Sequence, residues 1–270
     1  MNILSIKHYI IIRFYCFNMN RTDEQLFDYD LLHYAVNIFK KYTLKSLENQ
    51  TNKNFEIVFM IHNKININHM AIQELYNIQS NLKINIIRLN DIDNFIKEKS
   101  NDCDFFITTR IDHDDLIYNN AVEEIHSKCD IKMPLYFEGY INGITMINDD
   151  YKNSCKFYSK YNDEFGSMSI FQSLIINKKI LPNCINNVYL GSHTEVSNNI
   201  EKMCKNLNIT FYKKYVNVNK LEDSYIYVKH DFNHSSLINP SLNNNWHRTN
   251  IKVDKPKEWF IERFGNFIDN

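Results

Sequence analysis

The residues that decide the fold are Asp104-Phe105-Phe106-Ile107-Thr108-Thr109-Arg110-Ile111-Asp112-His113-Asp114-Asp115. Asp104 to Thr109 read as a buried strand, and Asp112-His113-Asp114-Asp115 stands at its carboxyl end. In open α/β sheets ligands sit outside the carboxyl ends of strands, so the position matters as much as the charge. Alternate carboxylates on an extended turn offer oxygens to one side, which suits a hard divalent ion. An ion held there could neutralise a leaving diphosphate. The same residues also suit a surface turn, with Asp114 or Asp115 as N-cap of a helix over residues 116–128.

Outward from this element, short apolar runs alternate with amphipathic stretches, the pattern of an α/β layer fold. Tyr9 to Phe17 read as a strand interrupted by Arg13. From Asp30 to Asn49 the residues Leu31, Tyr34, Ala35, Ile38, Phe39, Tyr42 and Leu47 recur at helical spacing. Phe55 to Ile61 is a continuous apolar run typical of a central parallel strand. A helix is expected over 68–79, a strand over 83–89 and a further helix over 91–99. Residues 134–148 read as one or two strands around Gly139 and Gly143, 191–207 as helical from Thr194, and 225–230 as a short strand. A polar tract over 241–250, with Trp246 and His247 inside it, precedes a helix opened by Pro256 and carrying Trp259, Phe260 and Phe264. This divides the chain into a main domain, 1–240, and a C-terminal loop and helix, 241–270, packing on or near it.

With 270 residues, 44% of them hydrophobic, the chain can build a real core, which excludes intrinsic disorder. Its 31 basic and 32 acidic side chains give a net charge of −1, which argues against a nucleic-acid binder working by counterion release. Five glycines leave little room for a Gly-rich phosphate loop. No stretch reaches the roughly 18 apolar residues of a membrane span. The run from Tyr9 to Phe17 lacks a small-residue cleavage site behind it, so no signal peptide is expected. The six cysteines are scattered with no CxxC pair, as expected of reduced thiols in a cytoplasmic protein.

The segment Thr43 to Ile61 (TLKSLENQTNKNFEIVFMI) resembles the first helix and second strand of GT-A glycosyltransferases. Together with Arg13-Phe14 and Thr109-Arg110-Ile111-Asp112-His113-Asp114-Asp115 it is similar to the putative rhamnosyltransferase family, whose pattern is an early "RF" strand and a "TRIDNDD" element. Residues 167–174 (SMSIFQSL) and 227–233 (YVKHDFN) resemble later family segments. The resemblance spans about residues 9 to 235. It implies a GT-A fold, with a mixed, mostly parallel central sheet flanked by helices. It also implies a nucleoside-diphosphate sugar donor, rhamnose being one candidate sugar, a glycan or other hydroxyl acceptor, and a divalent cation, Mg²⁺ or Mn²⁺.

Residue by residue, the resemblance gives Asp112 the first DxD place, near the donor ribose or a metal-bound water, and Asp114 the last, on the metal. Asp115 is either a supporting partner or the helix cap. Arg110 faces the nucleotide or diphosphate, or pairs with one of these aspartates. Arg13 is costly in an apolar strand, so it either pairs with a buried carboxylate or reaches the donor phosphates. Many related transferases carry an Asp pair after the second strand that reads the base. Here His62-Asn63 stands in its place, leaving Asn63 to hydrogen-bond a nucleobase. His230 is a candidate third metal ligand, or a strand-end histidine bonded to a carbonyl. An inverting transfer needs a base for the acceptor hydroxyl. Glu195 is the first choice and His193 the second, while Glu195 also suits a first helical turn on dipole grounds alone. The other function class in view is a non-catalytic module of the same fold that binds nucleotide or glycan. A phosphohydrolase of the haloacid dehalogenase type is disfavoured, because its aspartates follow the first strand rather than the fourth.

Overall fold

The computed structural model describes residues 4–14, 24, 27–140, 142–147, 150–158, 161–162, 166–167, 171–189, 195–210, 212–216, 225–229 and 248–268. In chain order the elements are β1 (Ile6–Phe14), α1 (Tyr29–Lys41), α2 (Thr43–Glu48), β2 (Glu56–Ile61), α3 (Met70–Tyr76), β3 (Ile84–Arg88), α4 (Ile92–Lys99) and β4 (Phe105–Asp112). There follow β5 (Leu116–Ile117), α5 (Ala121–His126), β6 (Leu135–Tyr140), β7 (Asn142–Ile147), β8 (Asp150–Tyr158), β9 (Tyr161–Asn162), β10 (Gly166–Ser167) and β11 (Gln172–Asn177). The chain closes with α6 (Val196–Asn206), β12 (Tyr212–Val216), β13 (Tyr225–Lys229), β14 (Arg248–Lys252) and α7 (Lys257–Phe264).

Among the described residues a seven-stranded sheet runs in the order β12-β6-β11-β4-β1-β2-β3. All its neighbours pair in parallel except β11, which is antiparallel to both β4 and β6. This is the mixed, mostly parallel sheet expected from the sequence. Its strands are apolar on both sides because both faces are covered. Ile10, Ile12, Phe14, Ile57 and Phe59 face one core together with α1, α2, α3 and α5. Tyr9, Ile11, Val58 and Met60 face the other, under Ile92 and Ile96 of α4 and Val196, Ile200 and Cys204 of α6. A smaller sheet, β14-β8-β7-β13-β5, lies beside it.

The expected helix over 30–49 is two helices, broken at Tyr42, which lies at φ −106° and ψ −75°. Asp28 caps the first, accepting from Leu31 N at 2.9 Å. The expected helix over 116–128 begins only at Ala121, because Leu116 and Ile117 pair with Ile226 and Tyr225 as an extra strand. Helix α7 starts behind Pro256 as expected and buries Phe260 and Phe264 in the first core. Gly265 ends it at φ +93°, where a Cβ would lie 2.5 Å from Lys45 O, so the helix end fits flush on α2 only with glycine there. Trp246 and His247 lie outside the described residues. No helix among the described residues is long and apolar enough to cross a membrane. Cys103, Cys129, Cys155, Cys184 and Cys204 are free thiols.

Candidate functional site

Parallel register brings Arg13, the next-to-last residue of β1, directly opposite Asp112, the last of β4. Arg13 Nη2 donates to Asp112 Oδ1 at 3.0 Å and to Oδ2 at 3.3 Å, and Nε donates to Oδ1 at 3.3 Å. Both side chains keep about a quarter of their surface exposed (25% and 27%). At that exposure an ion pair contributes about 1 kcal/mol or less, so its value here is orientation more than stability. Of the two roles open to Arg13 in the sequence, the carboxylate partner is the one observed.

Arg110 lies two residues earlier, on the same face of β4. It is 1% exposed, and Nε and Nη1 have no hydrogen-bond partner. The ion pair with an aspartate is not formed; Arg13 takes that place. Its main neighbour is Tyr189, whose ring centre lies 4.8 Å from Arg110 Cζ and 5.7 Å from Arg13 Cζ. The Tyr189 hydroxyl is held by donating to Ile11 O at 3.0 Å. Burial, helped by the Arg13 charge and opposed by Tyr189 and Asp112, pulls the Arg110 pKa down, yet a guanidinium remains a cation in a protein. A buried cation without a carboxylate costs several kcal/mol, and an anion arriving beside it would recover much of that. Gln172 of β11 is its register partner on the other side.

The aspartate loop itself is closely tied. Asp114 is 7% exposed and Asp115 fully buried. Asp115 is not a helix cap: its Oδ1 accepts from Val228 N of β13 at 3.2 Å, and its Oδ2 is buried with no partner. Burial, and then the charges of Asp114 and Asp112, hold the Asp115 pKa well above the usual carboxylate range. Asp112 and Asp114 are oxygen donors of the kind a hard cation takes, whereas Asp115 is engaged with Val228. Among the described residues, however, no three His, Cys, Asp or Glu side chains converge as a complete metal cage. His230, the expected further ligand, follows β13 directly and lies outside the described residues.

Asn63 stands after the carboxyl end of β2, half-buried, with its amide engaged: Nδ2 donates to Asn90 Oδ1 at 2.7 Å, and Oδ1 accepts from Asn90 N at 2.9 Å. One amide hydrogen and one carbonyl lone pair of Asn63 stay outside that pair. Glu195 is exposed at the N-cap of α6 without capping it. Helix α6 packs on the sheet face that also carries Arg13, Arg110 and Asp112, so Glu195 begins a helix on the correct side. His193 lies outside the described residues.

Sequence reasoning missed Tyr189 and Gln172, and nothing in the local pattern marks either one. It also missed Thr43, Ser46 and Gln50, the polar face of α2 and its C-terminal extension. Their spacing of three and four residues was a readable signal that they share one side.

Residues 14–144 match the family described as putative rhamnosyl transferase, which bears out the resemblance seen in the sequence over that stretch. S. aureus TarS residues 1–349, solved in complex with UDP, is similar at 12% identity and TM-score 0.43, over 83% of this chain and 61% of that one. A putative nucleotide-diphospho-sugar transferase from Desulfovibrio desulfuricans G20 is similar at 6% identity and TM-score 0.44, over 92% of each chain. HddC from Yersinia pseudotuberculosis is similar at 14% identity and TM-score 0.38, over 77% and 89%. The chain thus spans about 61% of the TarS fragment. No curated protein sequence matches it.

Proposed function

We propose that this chain, whose residues 14–144 match the putative rhamnosyl transferase family, is a glycosyltransferase that moves a sugar from a nucleoside diphosphate to a hydroxyl of a glycan or other acceptor. The observation that carries the donor assignment is Arg110, a buried guanidinium with two unpartnered nitrogens near the carboxyl end of β4, where the aspartates stand. A diphosphate is the anion that would satisfy it, through charge-assisted hydrogen bonds of the kind guanidinium forms best. Arg13 keeps Asp112 oriented and shares the Tyr189 ring with Arg110, so the two cations and one aromatic face make a donor wall. Asn63 is the candidate for the base, through the amide hydrogen and lone pair that Asn90 does not use.

Asp114, with Asp112 and His230, would hold a divalent cation, Mg²⁺ or Mn²⁺. When bound, such an ion offsets the charge that builds on the departing diphosphate. The acceptor oxygen attacks the anomeric carbon as the bond to the diphosphate breaks, and the electron pair leaves with the phosphate. The hydroxyl proton goes to Glu195, or to His193, and the anomeric configuration inverts.

The test is calorimetric titration of UDP, GDP and dTDP with and without Mn²⁺, on the wild type and Asp114→Ala. Metal-dependent binding of one nucleotide, weakened by about tenfold or more in the variant, is expected. Binding indifferent to the substitution would remove Asp114 from the metal site. A folded wild type that binds none of the three would favour a non-catalytic module instead.

A further inference from the structure

The aspartate loop is held from two sides by groups that have no role in the transfer. From below, helix α2 and the residues just after it send up three polar side chains. Thr43 Oγ1 donates to Asp115 O at 2.8 Å, and Ser46 Oγ accepts from Ile117 N at 3.3 Å. Gln50 spans the next turn, with Nε2 donating to Tyr118 O at 2.8 Å and Oε1 accepting from Val122 N at 3.1 Å. All three are buried. From the far side, the Asp115 carboxylate reaches away from the loop to Val228 N, while Leu116 and Ile117 pair with Ile226 and Tyr225. The side chain of Asp115 and the strand it begins thus fasten β13 to the loop, two residues before His230.

We propose that Asp115 is a positioning residue: with Thr43, Ser46 and Gln50 beneath it, it fixes where the end of β13 meets Asp112 and Asp114. Its full burial and its bond to a backbone amide separate it from the two aspartates offered to the donor. The work it does is that of a hydrogen-bond acceptor: an oxygen at the Oδ1 position takes the Val228 amide proton. A buried amide left without its acceptor would push the strand outward or draw in water. The strand's last residue would then be misplaced relative to the loop by a distance that a metal site does not tolerate.

This inference rests on the reading of the loop as a donor and metal site, so its experiment has two readouts. The first is amide exchange at Val228 in Asp115→Ala and Asp115→Asn, which reads the tie whether or not any nucleotide binds. Exchange should quicken by about tenfold or more in the alanine variant and stay near wild type in the asparagine variant, which keeps the acceptor oxygen. The second is Mn²⁺-dependent binding of whichever nucleoside diphosphate the wild type prefers, expected to fall by about tenfold in Asp115→Ala and to recover for the most part in Asp115→Asn. Thr43→Val and Thr43→Ser form a second pair with the same expectation, should Asp115→Ala fail to fold. Unchanged exchange in Asp115→Ala overturns the proposal. So does an asparagine variant that binds as poorly as alanine, which would make the negative charge itself the essential feature. A wild type that binds no nucleotide defeats the function reading alone, and exchange still decides the tie.

Discussion

Two polar lines cross the same three strands back to back. On one face stand His8 of β1, Thr109 of β4 and Ser173 of β11; on the other stand Arg13, Arg110 and Gln172 of the same strands. The first line is closed. His126 lies 3.1 Å from His8 Nδ1, His8 Nε2 lies 2.8 Å from Thr109 Oγ1, and Thr109 lies 2.7 Å from Ser173 Oγ. Asn52 Nδ2, 3.3 Å from His126 Nδ1, can only donate, so it sets the direction: His126 Nε2–H to His8, then His8 Nε2–H to Thr109. The second line is open, because Arg110 ends in nitrogens with nothing to bond. Equal burial therefore serves two purposes. A polar side chain whose partners are all protein groups specifies architecture, and one left waiting for a partner specifies a ligand.

The largest effect expected from breaking this contrast is at Arg110. Arg110→Met keeps the volume and removes the buried charge. Diphosphate affinity should fall by roughly 10- to 100-fold, the value of a charged hydrogen bond or two. Stability should hold or rise, because removing an unpaired buried charge relieves desolvation. Calorimetry and a thermal melt on one sample check both signs together. A variant that unfolds but, when stabilised, binds normally would put Arg110 in the architectural class with Thr109.

Thr109→Val is the mirror experiment, one residue away. It deletes one hydroxyl and strands two neighbours, His8 Nε2 and Ser173 Oγ. The expected cost is about 1–3 kcal/mol of stability in denaturant unfolding, with diphosphate binding unchanged. A loss of binding at full stability would erase the distinction between the two faces.

The sequence shows which strands carry these lines but not which line is closed. The apolar runs of β1, β2 and β4 are long enough to be read directly, and the amphipathic spacing of α1 likewise. Strand β11 went unread as an element, although all six of its residues are buried, because nothing nearby says that it will slot antiparallel between β4 and β6. Leu116-Ile117 suits a helix equally well; only Tyr225 and Ile226, more than a hundred residues later, make it a strand and turn Asp115 from a cap into a tie. A carboxylate beside Arg13 is one of the two roles the sequence leaves open, since a charge in an apolar strand demands a partner; the strand register makes it Asp112. Arg110 could not be settled, because its partners depend on what Arg13 has already taken and on Tyr189, a residue from a different part of the chain.

The smallest effect sharpens the contrast through pH. Burial, and then the neighbouring His126, hold the His8 pKa well below 6.5, and burial lowers that of His126 as well. His8 faces His126, Thr109 and the ring of Phe55, while His126 also meets Glu123, the one group that favours its charged form. The folded protein therefore keeps both imidazoles neutral at a pH where the unfolded chain has begun to protonate them. Their contribution is complete above about pH 6.5 and is lost as pH falls below it, at up to roughly 1.4 kcal/mol per unit for each histidine. Glu138 and Asp115, raised by burial, work with the opposite sign over the same range, since they resist ionisation as pH rises. The histidine slope must accordingly be taken as a difference, between unfolding curves of the wild type and His8→Gln from pH 7.5 to 5.5. The wild type should lose more stability on acidification than the variant, by about 1 kcal/mol across the range. A flat difference would mean that His8 carries a proton in the folded protein, and a charge inside the closed line would make it no more neutral than the open one.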